Sequence, residues 1–361
     1  MNLSVSFAGM KLENPVMPAS GPLTGDDRKM LAIHSQGVGA MVTKTISIEA
    51  AKVPRPCIIA GNSYVLNAEL WSEYDWHSWH DEFIPRFRQE SDRPLFVSLG
   101  YTKEDLEFLV PKFSDLADAF ELSTHYVADD PDLLSDLIKT VKLHTDKPVF
   151  IKFDPSVPDP GEMAKAIESA GGDGIVAINS LGPVYPLNLL ERSSPLGSEH
   201  GFGWISGPVI KPFALAMIRR IVSATELPVI GTGGVSSADD VLEFLMAGAS
   251  AVQLLSSALI RGKQVFSKIL NDLPERIREC GGSGIEDLMG VALKSNTKES
   301  FKRRTPIVDH FKCIKCNLCV QICPYDALSL EDRIDVDESV CFGCGLCESR
   351  CPVKAIEGVL F

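Results

Sequence analysis

Ten cysteines punctuate the 361 residues, and eight of them crowd between Cys313 and Cys351. They read Cys313-x2-Cys316-x2-Cys319-x3-Cys323-Pro324 and Cys341-x2-Cys344-x2-Cys347-x3-Cys351-Pro352, the second set repeating the first at an offset of 28 residues. Thiolates bind soft metals or pair as disulfides, and context and spacing decide between them. Disulfides need an oxidising compartment, and Met1–Phe7 shows no charged n-region ahead of an apolar h-region. Zinc sites pair two Cys-x2-Cys units rather than a triplet with a remote fourth ligand. The doubled C-x2-C-x2-C-x3-C-P run is the pattern that holds two [4Fe–4S] clusters, the fourth cysteine of each run serving the other cluster. One cluster is then expected on Cys313, Cys316, Cys319 and Cys351, the other on Cys341, Cys344, Cys347 and Cys323. Three thiolates two residues apart cap three irons of one cubane from a tight loop, which the proline ends. Such clusters carry one electron each at low potential, so this end of the chain is expected to transfer electrons in a reducing, cytoplasmic setting.

A second set of capable residues is spread through the rest of the chain. Lys44-Thr45, Lys152, Asn179-Ser180, Gly231-Thr232-Gly233-Gly234 and Ser256-Ser257 each follow or end a short apolar run. Those runs are Val16–Met17, Ala40–Thr43, Leu95–Ser98, Phe120–Ser123, Val149–Lys152, Ile175–Asn179, Val229–Gly231 and Ala251–Leu255. Between them lie amphipathic stretches such as Asp105–Leu116, Pro131–His144, Gly161–Ser169, Pro212–Val222 and Ala238–Ala247. Alternation of this kind predicts a parallel sheet, and eight strands predict a closed (β/α)8 TIM barrel of the α/β class. A doubly wound sheet would want a strand–GxGxxG–helix fingerprint near its start, and Gly201, Gly203 and Gly207 form only a loose cluster. The basic run Lys298, Lys302, Arg303, Arg304 before Pro306 reads as a solvated linker. It places a barrel over 1–300 and a small α+β unit carrying the clusters over 301–361.

Barrel chemistry sits at the C-terminal ends of the strands. Gly233 and Gly234 let backbone N–H groups approach phosphate oxygens, Ser256 and Ser257 add donors, and the helix start that follows suits an anion. Lys44 and Lys152 end strands near the same pocket, where a cation is costly to bury without an anion. A phosphate-bearing cofactor beside one-electron clusters must convert electron pairs into single electrons. Flavin does that and nicotinamide does not, so FMN is the expected cofactor.

Composition narrows the partners. The chain is 45% hydrophobic and 23% charged, which excludes disorder, and no apolar run approaches the ~20 residues of a membrane span. A net charge of −13 argues against nucleic acid, a tRNA substrate included.

Asn14-Pro15-x-Met17-x-Ala19-Ser20-Gly21, Thr43-Lys44-Thr45, Lys152, Asn179-Ser180, Ile210-Lys211-Pro212-x-Ala214-Leu215-Ala216 and Ile230-Gly231-Thr232-Gly233-Gly234 together resemble the FMN barrel of the dihydroorotate dehydrogenases. With its cluster-bearing tail, the whole chain is similar to the C-terminal part of dihydropyrimidine dehydrogenase and to the corresponding bacterial subunit, so the tail is expected to be ferredoxin-like. The resemblance implies FMN contacts from Ala19, Ser20, Lys44, Thr45, Lys152, Gly207, Gly233, Gly234, Ser256 and Ser257. It implies that Lys152 lies near the flavin's pyrimidine ring, where a cation stabilises anionic reduced flavin. It also implies substrate contacts from Asn67, Asn179 and Ser180, and a homo-oligomer or hetero-complex.

The departures are informative. The loop after the fourth strand reads Asn-Leu-Ser-Cys-Pro-Asn or nearly so in the family, and here it is Glu121-Leu122-Ser123-Thr124-His125-Tyr126. Thr124 thus stands where a Cys or Ser acts as base, and it can relay a proton only with a neighbouring base or water. The covering segment Asn-Ser-Met-Gly becomes Asn67-Ala68-Glu69-Leu70. Glu121 and Glu69 would bring negative charge toward a pocket built for orotate's carboxylate unless Lys44 or Lys152 offsets it. A neutral or cationic unsaturated ring, or another activated alkene, fits better.

The expected function is a flavin- and iron–sulfur-dependent oxidoreductase of a CH–CH or C=C bond. Thr124, Lys44 and Lys152 are its candidate catalytic residues, and Glu121 joins the candidate substrate contacts. Electrons would pass to or from a redox partner, a ferredoxin or an NAD(P)H/FAD flavoprotein subunit. The competing reading is an electron-transfer subunit whose barrel performs no substrate chemistry. Two smaller features read as structural: Trp71, Trp76, Trp79, His77 and His80 as packing of a βα connection, and Cys57 as a buried structural thiol.

Overall fold

The eight apolar runs form one all-parallel sheet in the computed structural model, which describes residues 1–100, 102–123, 130–294 and 302–360. The strands are β1 (Val16–Pro18), β2 (Met41–Val42), β3 (Leu95–Leu99), β4 (Ala119–Ser123), β5 (Val149–Lys152), β6 (Gly174–Ala177), β7 (Val229–Thr232) and β8 (Ala251–Leu254). Their order is β1-β8-β7-β6-β5-β4-β3-β2, so each strand lies beside its sequence neighbour and the ring nearly closes. Just ahead of β2, the Gly39 N–H donates to the Val16 carbonyl at 2.9 Å. A Cβ at Gly39 would lie 2.0 Å from the Asn14 carbonyl oxygen, so only glycine permits this approach. The result is a TIM barrel.

Helices pack around it because their apolar positions recur every three or four residues. In α4 (Pro131–Lys142) Leu134, Leu137, Ile138 and Val141 face inward. Asp130 caps its start, accepting from the N–H groups of Asp132 and Leu133. Other helices of the barrel include α1 (Asp27–His34), α2 (Ile84–Glu90), α3 (Lys103–Phe113), α5 (Pro160–Ser169), α6 (Lys211–Val222), α7 (Ala238–Met246), α8 (Ser256–Arg261) and α9 (Val265–Glu279). Sequence periodicity placed the start of α3 two residues late, because the capping box between Thr102 and Asp105 starts the helix ahead of its apolar stripe.

One element has no counterpart in the periodicity. Ile58–Ala60, Val65–Asn67, Gly203–Ser206 and Leu181–Val184 form a four-stranded antiparallel sheet. Two of its strands follow β2 and two follow β6, with Trp204 opposite Asn67.

The chain divides into two compact units, Met1–Ser295 and Asn296–Phe361. Within the second, left-handed backbone recurs at the 28-residue offset seen among the cysteines: Lys315 and Gly343, Asn317 and Gly345, Asp326 and Lys354. Two short antiparallel pairings complete it: Ile307–Val308 with Ile356–Glu357, which joins the two ends of the unit, and the hairpin Leu328–Leu330 with Ile334–Val336. Among the described residues no helix is long and apolar enough to cross a membrane.

Candidate functional site

The C-terminal ends of the strands open into one cavity of about 610 Å³. The barrel dictates this, since each strand delivers its last side chains to the same rim. Ala19 and Ser20 follow β1, and Lys44 and Thr45 follow β2. Ser20, Thr45 and Ser98 form a chain of hydroxyls, each contact 3.0 Å long. On the β1 side of the ring, Gly233 and Gly234 follow β7, with Ser256 and Ser257 after β8, which pairs with β1, and Gly207 also on the rim.

Gly234 adopts φ +98°, and a Cβ there would meet Lys211 Cβ at 2.8 Å, so the turn needs glycine. Lys211 is itself locked by Asp240 and Glu243, each at 2.6 Å, and Asp240 also accepts from the Ser236 N–H and hydroxyl. Burial pushes the Asp240 carboxyl up, but its bonds from Lys211 and Ser236 outweigh this and hold it below 3.8. A depressed carboxyl stabilises the fold above its unfolded pKa and loses that contribution as pH falls through its folded value. Asp240→Asn is therefore expected to cost about 2 kcal/mol at pH 7. The gap in melting temperature from wild type should begin to narrow below pH 3.8 and close as the pH falls through the lowered folded value.

The rest of the cavity holds groups suited to a heterocycle. Lys152, Asn67, Asn179 and Ser180 all line it. Strand β6 ends at Ala177, earlier than its apolar run predicts, which leaves Asn179 and Ser180 in the loop above. The Asn179 side-chain oxygen accepts from the Ser180 N–H at 2.9 Å, fixing that loop. The Ser257 hydroxyl is committed to the Val235 carbonyl at 2.6 Å, and Ser256 bonds Ser206 at 2.8 Å.

Both cavity lysines are paired. Lys44 Nζ donates to Glu69 Oε1 at 3.3 Å, and Lys152 Nζ to Glu121 Oε1 at 3.0 Å. Burial pushes the Glu69 carboxyl up against the pull of Lys44. Around and behind the cavity, Lys44 pairs with Glu69 and Lys152 with Glu121, and Asp154 also lines it.

Several expectations need correction. Glu121 does not line the cavity: the pleat of β4 turns it into the barrel interior at 0% exposure, where Lys152 and Gln253 occupy its two oxygens. Trp71 lines the cavity rather than packing a connection, its ring N–H donating to the Glu49 carbonyl. Trp79 is the packed one, sealed in the core with its N–H on Ser72. Cys57 is only partly buried, at the edge of the antiparallel sheet. Thr124, His125 and Tyr126 lie outside the described residues, as does Lys298. Sequence reasoning missed Trp204, Ser206 and Ile58, which reach the rim from the antiparallel sheet, and Gln253 inside the barrel.

These residues fit FMN. A glycine turn with serines suits a phosphate at one end, and paired lysines with amides suit a polar ring at the other. Gln253 Oε1 is a buried acceptor with no hydrogen-bond partner among the described residues.

The C-terminal unit has two small cavities. Cys313, Cys316, Cys319 and Cys351 line one; Cys323, Cys341, Cys344 and Cys347 line the other. The thiols surround a space rather than a point, as a cubane requires of ligands that each cap a different iron. Cys323 Sγ accepts from the Ala327 N–H at 3.4 Å, and Cys351 Sγ from the Ala355 N–H at 3.2 Å, the same bond repeated 28 residues on. Burial pushes the Cys347 thiol up to about 11, so without metal that thiol keeps its proton, which metal binding would displace.

Residues 2–277 match the family model described as dihydroorotate dehydrogenase, and residues 312–355 match a 4Fe-4S dicluster domain. The catalytic subunit of dihydroorotate dehydrogenase B (NAD(+)) from Pyrococcus abyssi is 34% identical over 304 residues, 81% of this chain and 99% of that protein. Its Pyrococcus horikoshii counterpart is 35% identical over 303 residues, 81% of this chain and 98% of its own. Dihydroorotate dehydrogenase A (fumarate) from Lactobacillus helveticus is 35% identical over 305 residues, 80% of this chain and 98% of that one.

Proposed function

The chain belongs to the dihydroorotate dehydrogenase family, flavin-dependent oxidoreductases of CH–CH bonds, and from that premise we propose that it reduces or oxidises an uncharged pyrimidine-like ring rather than orotate. The Lys44–Glu69 pair carries this reading. In a family whose substrate is a carboxylate, a cavity cation should be open to it. Here Glu69, part of the segment bordering the cavity, already supplies a carboxylate to Lys44 at 3.3 Å. A second anion would meet that carboxylate at short range in a partly dry site, where repulsion is poorly screened.

FMN, when bound, supplies hydride exchange with a substrate carbon and single-electron exchange with iron–sulfur clusters. The chain's residues do the rest. Gly207, Gly233, Gly234 and Ser256 are proposed to hold the phosphate, and Ala19, Ser20 and Thr45 to border the ring system. Lys152 is proposed to face the ring's polar edge. Asn67, Asn179 and Ser180 offer amide and hydroxyl groups that suit the alternating N–H and C=O of a neutral pyrimidine. Thr124 remains the proposed proton relay. Trp71 and Trp204 add apolar walls that exclude water.

Two [4Fe–4S] clusters are proposed on the two cysteine-lined cavities, exchanging electrons with a separate protein. A flavoprotein subunit using NAD(P)H or a ferredoxin would serve, and the Pyrococcus relatives' description as a catalytic subunit supports the first.

The test is anaerobic. Dithionite-reduced protein is mixed in turn with uracil, thymine and orotate while flavin and cluster absorbance are followed. Reoxidation by uracil or thymine and not by orotate is the expected result. Reoxidation by orotate at comparable concentration would overturn the charge argument.

A further inference from the structure

Glu121 stands behind Lys152, which lines the cavity, and its second oxygen accepts from Gln253 Nε2 at 2.6 Å. Gln253 comes from β8, on the far side of the barrel ring from β4, so this bond spans the interior. Glu121 and Gln253 are both at 0% exposure and Lys152 at 8%. Stability does not explain the arrangement. A buried ion pair is often no better than apolar side chains of the same volume, because desolvation offsets the attraction. What the pair does change is the field in the cavity. Lys152 alone would put a full positive charge against the bound cofactor, and the carboxylate behind it removes most of that charge without leaving a cation unpaired.

We propose that Glu121 lowers the midpoint potential of the flavin by setting its own negative charge against the positive charge of Lys152, keeping the flavin's electrons able to reach low-potential iron–sulfur clusters. The proposal rests on the reading that the cavity holds FMN. Reduction by a substrate hydride delivers two electrons and one proton to the flavin and leaves it with one added negative charge. A cation nearby favours that state, and a carboxylate cancelling the cation disfavours it. Gln253 orients the carboxylate from across the barrel, so its replacement should loosen the pair without altering the charge sum.

The experiment is a spectroelectrochemical titration of the flavin in four holoproteins: wild type, Glu121→Gln, Lys152→Met and the double variant. Glu121→Gln is expected to favour reduced flavin by about 100-fold at fixed potential, an upward shift of about 60 mV at 29.6 mV per tenfold for two electrons. Lys152→Met is expected to shift it downward. The double variant, charge-balanced again, should return close to wild type. It keeps the test decisive if Glu121→Gln fails to fold, because Glu121's effect is then the difference between Lys152→Met and the double variant. Equal potentials in that pair, or in wild type and Glu121→Gln, would overturn the proposal. Wild-type protein that binds no FMN would instead overturn the functional reading beneath it.

Discussion

Stripping iron from the C-terminal unit is expected to unfold that unit while the barrel stays folded. Its apolar core is small: Leu328, Ile334 and Ile356 are buried, with Cys347 among them and Cys313, Cys319, Cys323 and Cys351 packed against them. A core this size falls short of the conformational entropy of Asn296–Phe361, and small domains of this kind rely on metal for stability. Five of the eight proposed ligand cysteines therefore also belong to this core or pack against it, and chelation removes ligand bonds and packing together. Anaerobic chelation followed by hydrogen exchange should show protection lost across 302–360 and retained across β3, β4 and β5. Electron transfer to an external acceptor should fall more than about 1,000-fold, beyond the effect of any single cavity substitution. Protection retained in the stripped unit would show that its small core suffices. The ligand assignment has a finer consequence. Cys323 shares a cavity with Cys341, Cys344 and Cys347. Cys323→Ser and Cys344→Ser should thus leave the same residual electron paramagnetic resonance signal and about half the iron, and Cys351→Ser should leave the other signal.

The second large effect is a change of substrate charge. Glu69→Gln is expected to tighten orotate binding to the oxidised flavoprotein by about 30-fold, or about 2 kcal/mol. It keeps the side chain's volume and leaves Lys44, at 5% exposure, without its carboxylate. A buried cation left so seeks an anion, and a substrate carboxylate is the one the cavity can admit. Acid should mimic the substitution. Burial raises the Glu69 carboxyl above 4.5, Glu73 adds to this, and Lys44 and Lys29 oppose it. As pH falls through that raised value, Glu69 takes a proton and orotate affinity in the wild type should rise, whereas Glu69→Gln should show no such rise. Flavin absorbance titrations from pH 4 to 8 measure both. Equal affinities in the two proteins at pH 7 would show that Lys44 never governed substrate charge.

Much of this was legible in the sequence, for physical reasons that also mark where legibility ended. All eight barrel strands announced themselves, because a strand buried on both faces reads as a continuous apolar run whatever its neighbours. Lys44, Lys152, Gly233 and Asn179 were placed by adjacency alone, since a residue just past a barrel strand has nowhere to go but the rim. The antiparallel sheet was invisible. Its strands are three or four residues long, and Val65–Asn67 finds its partner at Gly203–Ser206, a pairing that no local pattern encodes. Glu121 was misplaced for a related reason: its identity showed a charge near the cavity, but not that Gln253, 132 residues later, would hold it inside the barrel. Glu69 was read correctly as a charge near the pocket, but its pairing with Lys44 joins residues 25 apart and depends on the loop between them.

That antiparallel sheet also bears on how such barrels diversify. The strands around Ile58 and Val65 descend from one loop and those around Leu181 and Trp204 from another, yet they share a ladder with Trp204 set opposite Asn67. Neither loop carries a finished surface; each supplies half of a hydrogen-bonded seam. Exchange of one loop by recombination would leave a raw edge over the cavity and shift every side chain that faces it. The two loops therefore form a single unit of specificity, and a chimera that trades substrates with a relative is expected to need both.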